Sequence, residues 1–266
     1  MNLPKVSIIT PSYNHGQFIE RTILSVLNQN YPNLEHIVID GGSKDNTIEI
    51  LKKYSHLIWK SESDKGQSDA FNKGLRMASG EIIGWLNSDD IYLSKIIHKV
   101  VKVFENNPEV SVVYGDSYYI NENDRIIRKY RSGDFDLKRL LTCGYCYIPP
   151  MSAFIKKQVF DSVKYPLDIN LHYCMDHDLF IRIAIAGFKF KYVPEFFSAF
   201  RRSKINKTTI NIKLMRKESY IISKKYGGGK YISLHINYFL AKIYLLFPFL
   251  TNFLRKIRYQ FSLLSK

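Results

Sequence analysis

VSIITPSYNHGQFIERTILSVLNQ, residues 6–29, decides the architecture. Lys5 to Thr10 is a short β-branched apolar run of strand type, and Gln17 to Asn28 places Phe18, Ile19, Thr22, Ile23, Val26 and Leu27 at helical spacing. A strand leading into a helix is a βα unit, and the same succession recurs along the next eighty residues. Leu34 to Asp40 (LEHIVID) runs through Gly41-Gly42-Ser43 into a helix that Asp45-Asn46-Thr47 is suited to cap and that extends through Tyr54. Leu57 to Lys60 and Gln67 to Ala78 form a third pair. Glu81 to Leu86 (EIIGWL) precedes a helix from about Leu93 to Asn106. This order predicts an α/β, Rossmann-like fold with a mostly parallel central sheet flanked by helices.

The second half is more mixed. Val110 to Ile120 and Ile126 to Arg131 read as an antiparallel pair around the turn residues Asn121 to Asp124, and Asp176 to Gly187 reads as a helix followed by a strand from Lys189 to Phe200. No repeat period is present. Cys143, Cys146 and Cys174 are too few and too odd in number for a disulfide framework, and the start of the chain has no secretory pattern, so a reducing cytoplasmic setting is expected. The Cys143/Cys146 pair, with His172, Cys174 or His177, lacks the second CxxC or regular His spacing of a zinc site, and small reduced residues are the simpler reading.

Charge separates the ends of the chain. It carries 39 Lys+Arg against 24 Asp+Glu, yet residues 201–266 alone hold 15 of the basic residues and a single acid, Glu218. The body is nearly neutral and the C-terminal segment carries the excess. A basic helix from about Thr208 to Tyr226 is expected to stop at Gly227-Gly228-Gly229, followed by two apolar-basic stretches split by Pro248. In the second, Leu250, Phe253, Leu254, Ile257, Phe261 and Leu264 fall on one face, the form of a helix lying on an anionic membrane surface. His235, Asn237, Lys242, Pro248 and Asn252 argue against a true span. Aromatic residues mixed into aliphatic faces suit lipid better than base stacking, so no nucleic-acid partner is expected.

In an open parallel sheet, ligands bind beyond the carboxyl ends of the strands. The residues there are Thr10 to Asn14, Asp40 to Ser43, Ser61 to Lys65, and Asn87-Ser88-Asp89-Asp90. Two adjacent carboxylates at the end of an apolar strand repel one another unless a cation or donors compensate them, and hard divalent cations use one or two carboxylates together with phosphate oxygens. No GxxxxGK[ST] and no GxGxxG after the first strand is present.

Three blocks in order, VSIITPSYNHGQFIERTILSVLNQ, HIVIDGGSKDNT and DKGQSDAFNKGLRMASGEIIGWLNSDD, resemble the glycosyltransferase-A fold of the family 2 glycosyltransferases, closely over about the first 105 residues and loosely to about residue 200. The resemblance implies inverting transfer of a sugar from a nucleoside-diphosphate sugar, a UDP-sugar being favoured, to an acceptor hydroxyl, with Mn²⁺ or Mg²⁺. It implies that Pro11, Tyr13 and Asp40 line the base and ribose site, that Asp64 and Lys65 sit near the nucleotide with Asn87 and Ser88, and that Asp89 is the metal-binding acid with Asp90 sharing the role. Asn87 stands where the usual first Asp of that motif would be. Asp176 matches the catalytic base, with Met175 in place of the preceding Glu, while helix capping is the alternative for Asp176 or Asp178. Arg201 and Arg202 are candidates for phosphate or acceptor contacts, against a solvated strand end.

The expected organisation is a catalytic domain over residues 1–205, with a nucleotide-sugar half (1–105) and an acceptor half (106–205), and a basic tail (206–266) that docks on the inner membrane face. The acceptor is expected to be a saccharide or lipid-linked saccharide. Competing readings are an inactive nucleotide-sugar-binding scaffold, a basic nucleic-acid-binding protein, and a nucleotidyltransferase.

Overall fold

The computed structural model describes residues 3–163, 166–203 and 211–246, with side chains as far as Ala241 in the last helix. The amphipathic stretch after Pro248 lies outside the described residues. The first half is βα repeats: β1 (Val6–Ser12), α1 (Ile19–Leu27), β2 (Leu34–Asp40), α2 (Thr47–Leu51), β3 (Leu57–Ser61), α3 (Gln67–Met77) and β4 (Ile82–Trp85). Then follow β5 (Ile91–Tyr92), α4 (Ile96–Asn106), β6 (Val110–Ile120), β7 (Ile126–Tyr130), α5 (Leu137–Thr142), β8 (Ala153–Lys156), α6 (Gln158–Ser162), α7 (Met175–Ile185), β9 (Lys189–Arg201), α8 (Ile212–Lys225) and α9 (Ile232–Leu246).

Among the described residues one nine-stranded sheet has the order β3-β2-β1-β4-β8-β6-β9-β5, with β7 on β6. The expected parallel sheet holds for β3-β2-β1-β4 and for β6 with β9, whereas β8 inserts antiparallel between β4 and β6. Neither β8 nor β5 is legible in the sequence, because a strand of four residues and one of two are too short to show a period. β5 delays the start of α4 from the expected Leu93 to Ile96. Pro11 lies inside the sheet without cost because the β1–β4 ladder ends at Ile9 and Trp85, leaving that edge unpaired beside it.

Alternation along β1 and β4 feeds two cores. Ile9, Ile83 and Trp85 join α3 and α7 through Phe71, Leu75, Leu179 and Ile183, whereas Ile8 and Ile82 join α4 through Ile97, Val100, Val101 and Phe104. Burial on both faces explains why these strands read as continuous apolar runs. Glu35 of β2 is the charged exception. It accepts from Ser7 Oγ (2.5 Å), Ser79 N (2.7 Å) and Ser79 Oγ (2.8 Å) and pairs with Lys5 (2.7 Å). Burial acts to raise its pKa, but these partners outweigh burial and bring it down to about 2.

Because Glu35 titrates lower in the folded chain than its ordinary 4.5, it stabilises the fold above pH 4.5 and loses that contribution as pH falls toward 2. Glu35→Gln is expected to cost about 2–3 kcal/mol at pH 7. The gap in thermal midpoint between wild type and variant should shrink steadily below pH 4.5; a gap that does not vary with pH would show that the carboxylate charge contributes nothing.

α8 replaces the expected start of the tail, and it does not stand apart. It packs on α7 and α5, and α9 packs on α8 and α5. The expected boundary at 205/206 therefore does not separate body from tail, because α8 supplies buried polar bonds to the body. Among the described residues no helix is long and apolar enough to cross a membrane.

Candidate active site

The loop after β2 is built around Asp40, which is fully buried. Its Oδ2 accepts from Gly42 N (3.0 Å), Ser43 N (2.9 Å) and Ser61 Oγ (2.7 Å), and its Oδ1 accepts from Ser43 Oγ (2.5 Å). Gly42 sits at φ +82°, a conformation that side chains rarely adopt. A Cβ on Gly41 would lie 2.7 Å from Asp64 Oδ2, so glycine lets the two loops close on each other. Asp64 accepts from Gly66 N (2.7 Å), and burial, followed by the charges of Asp69 and Asp40, raises its pKa. Tyr13 and Lys65 are exposed at the same strand ends, and Pro11 is buried. Asp40 is thus first a loop-holding residue, its carboxylate engaged from both oxygens within the protein.

The turn 87–90 is held from four sides. Asn87 Oδ1 accepts from Trp85 Nε1 (2.9 Å) and Gln67 Nε2 (2.6 Å), and its Nδ2 donates to Asp90 Oδ2 (3.0 Å). Thr22 Oγ1 donates to the carbonyls of Ser88 (3.0 Å) and Asp90 (2.7 Å), and His15 Nδ1 lies 2.6 Å from Ser88 Oγ. Arg201 N donates to Asp90 Oδ1 (2.9 Å), and Arg201 Nε donates to the Asp89 carbonyl (2.8 Å). β5 makes this possible: its pairing with Ala199 and Ser198 brings the end of β9 beside the turn.

Two expectations change accordingly. Asp90 is fully buried with both oxygens bonded inside the protein, and burial with the neighbouring Asp89 charge raises its pKa well above the usual range. Its geometry is structural and does not fit a metal ligand. Arg201 is not a solvated strand end: it is fully buried, stacks 4.8 Å from the centre of the Phe18 ring, pairs with Asp124 (2.5 Å) and braces the turn. Its guanidinium positions Asp89 rather than reaching out to an acceptor.

Beside the turn opens a cavity of about 490 Å³ lined by Gln67, Trp85 and Asn87 on one side and by Tyr173, Met175 and Asp176 on another. Asp176 lies in the first turn of α7, where burial pushes its pKa up to about 6, with Glu218 adding to the rise and the bonds from His177 N and its own N–H opposing it. Cys174 is the N-cap residue, so neither aspartate caps the helix from that position, but both lie in its first turn, where the helix dipole favours them, and Asp176 Oδ1 accepts from His177 N (2.8 Å). Asp178 is fully buried and takes Arg182 Nε (2.7 Å) and Tyr226 Oη (2.8 Å), with Lys225 Nζ at 3.5 Å.

α8 holds this first turn in place. Glu218, the one acid after Arg201, accepts from the N–H groups of His172 (2.8 Å), Tyr173 (2.7 Å) and Cys174 (2.8 Å). Ser219 Oγ bonds His177 Nδ1 (3.0 Å), whose Nε2 bonds the Leu140 carbonyl (2.8 Å), and burial lowers the His177 pKa to about 4, keeping it neutral. The isolated acid in a basic segment is visible in the sequence, but its partners lie more than forty residues away. Cys143, Cys146 and Cys174 form no disulfide and direct their thiols at backbone carbonyls, and burial raises the pKa of Cys146 and Cys174.

Among the described residues no group of three or more His, Cys, Asp or Glu side chains converges on a metal position. Asn87 and Asp90 are committed to bonds that hold the turn together, and Asp89, the acid that matches the family's metal-binding residue, is the candidate ligand. A single carboxylate fits a hard divalent cation that takes its remaining ligands from a diphosphate and water.

Residues 7–164 match the profile described as glycosyl transferase family 2. The chain belongs to that family. It is 26% identical over 240 residues to an uncharacterized glycosyltransferase of Methanocaldococcus jannaschii, covering 86% of this chain and 82% of that one. It is 27% identical over 196 residues to the chondroitin synthase of Pasteurella multocida, covering 72% of this chain but 20% of the synthase. Among solved structures it superposes on the mannosyltransferase PcManGT from Pyrobaculum calidifontis in complex with GDP-Man and Mn²⁺ (TM-score 0.66, 20% identity, 92% of this chain and 70% of that one). It also superposes on S. aureus TarS 1–349 in complex with UDP (TM-score 0.62, 17% identity, 82% of this chain and 65% of that one). The fold is glycosyltransferase-A, and this family 2 member is a glycosyltransferase.

Proposed function

We propose that this family 2 member transfers a sugar, with inversion, from a nucleoside-diphosphate sugar, UDP-sugar favoured, to a hydroxyl of a lipid-linked or cell-envelope saccharide. The observation that carries this reading is Asp176, whose carboxyl is raised to about 6 on the wall of the same cavity that Asn87 lines. A carboxylate with a pKa close to the working pH is suited to take a proton and is still ionised at pH 7.

In this mechanism the exposed Tyr13 ring stacks on the base, and the Asp40-centred loop with Asp64 and Lys65 shapes the ribose and diphosphate site. Asp89, whose carbonyl Arg201 braces, would hold Mn²⁺ or Mg²⁺; that PcManGT is in complex with Mn²⁺ supports a divalent cation. When bound, the cation supplies positive charge against the leaving diphosphate. Asp176 accepts the proton of the acceptor hydroxyl as its oxygen attacks the anomeric carbon and the bond to the diphosphate breaks. Residues 1–105 serve the donor, and residues 106–205 together with α8 serve the acceptor. The excess of positive charge in residues 201–266 supports a cytoplasmic enzyme docked on the inner membrane face.

The test is release of nucleoside diphosphate from a panel of nucleotide sugars with membrane extract as acceptor source, under Mn²⁺, Mg²⁺ or EDTA. Release from one donor is expected, lost in EDTA and in Asp89→Ala. Binding of a donor without release would favour the inactive scaffold, and release of pyrophosphate would favour nucleotidyl transfer.

A further inference from the structure

β7, β6 and β9 build the far wall of the cavity. Pairing sets Arg128 beside Tyr119 and Tyr119 beside Phe200, so these side chains share one face of the sheet. The Tyr130 ring stacks on Tyr119 at 5.6 Å and an interplanar angle of 6°, and Phe200 lies 5.4 Å away. The guanidinium carbons of Arg128 and Arg202 lie 5.8 and 5.5 Å from the centre of that same Tyr119 ring.

Arg201 and Arg202 diverge. Arg201 turns into the Asp89–Asp90 turn, while Arg202, one residue on along an extended backbone, faces the opposite side toward Tyr119. A third cation, Arg216 of α8, also lines the cavity and donates to the Gly144 carbonyl (3.0 Å). Against these three arginines the described lining holds one acid, Asp176. Among the described residues neither Arg128 nor Arg202 has a carboxylate within ion-pair distance. Two guanidiniums brought to one ring without an acid between them repel each other, and an anion placed there relieves the repulsion. The aromatic faces between them suit the apolar face of a pyranose ring.

We infer that this wall is an acceptor subsite for a saccharide bearing an anionic group, phosphate or carboxylate, with Arg128 and Arg202 gripping the charge and Tyr119 stacking the ring. The inference rests on the proposed transferase reading for the word acceptor, but binding tests it without turnover.

Glucose 6-phosphate, glucuronate and glucose are titrated calorimetrically into the full chain with UDP and Mn²⁺ saturating. At least one anionic sugar is expected to bind about tenfold or more tighter than glucose. Preference for the first identifies a phosphorylated acceptor, and preference for the second a uronic acid. The preference should vanish in Arg128→Gln/Arg202→Gln and persist in Lys129→Gln, which removes an exposed charge from the opposite face of β7. Thermal midpoints of the variants confirm that they are folded. Equal binding of all three sugars, a preference that survives the double substitution, or equal loss in Lys129→Gln would overturn the inference. So would a rise in the apparent UDP dissociation constant as the anionic sugar is added, which would assign the arginines to the donor diphosphate. Failure of the transferase reading appears separately, as absence of nucleoside diphosphate release.

Discussion

Asp176→Asn is expected to lower kcat by about a thousandfold, the effect of losing a positioned general base, while leaving UDP affinity near the wild-type value. The amide keeps the shape of the side chain but cannot take the acceptor proton. In the wild type, kcat/KM should rise with pH through a group of pKa about 6, the position to which burial and Glu218 bring Asp176. The variant's residual activity should lose that limb.

Stability moves in the opposite direction to activity. The folded-state pKa of about 6 lies above the ordinary 3.8, so the folded chain favours the protonated carboxyl. Wild type therefore loses stability as pH climbs from about 4 through 6, whereas the amide does not titrate. The variant should melt at a higher temperature than wild type at pH 8, with the gap closing below about pH 4. A variant that melts lower at every pH and keeps most of its kcat would make Asp176 a structural residue.

The second large effect falls two residues away. Asp178→Ala strips the acceptor from Arg182 and Tyr226 and removes the buried carboxylate that pairs with the mostly buried Arg182. Breaking a buried pair from one side costs about 3–5 kcal/mol, or roughly 10 °C in thermal midpoint for a chain of this size. Asp178→Ala/Arg182→Met should recover part of the loss, since it removes both buried charges. Equal destabilisation in the single and double variants would show that packing, not the broken ion pair, sets the cost. Because Asp178 ties α7 to the end of α8 through Tyr226, the single variant should also lower kcat by loosening the turn that carries Asp176.

Aspartates 176 and 178 show how much of the site can be read in one dimension. The helix period puts them on different faces, and that separation holds: one lines the cavity and the other is locked in an ion pair. Which faces the cavity depends on what packs against α7, and the packing partner is a helix from the segment that charge alone marks as a tail. The same limit applies at Asn87-Ser88-Asp89-Asp90. The pair of acids at a strand end signals a special site, but the internal commitment of Asp90 follows from Arg201 and Asn87, contacts that no spacing rule connects.

The βα alternation, the buried character of β1, β2 and β4, and the gathering of Asp40, Asp64 and the Asn87–Asp90 turn at the strands' carboxyl ends were all determined by the sequence, because hydrophobic period and turn residues act locally and dictate which elements form. The family resemblance was equally local, carried by three short blocks. Tertiary structure alone decided the insertion of β8, the brace that Arg201 makes through β5, the clasp of Glu218 on residues 172–174, and the arginine and tyrosine wall from β6, β7 and β9. Each of these joins residues distant in the chain, and such partners are selected by the packing of the whole core rather than by any pattern along one segment.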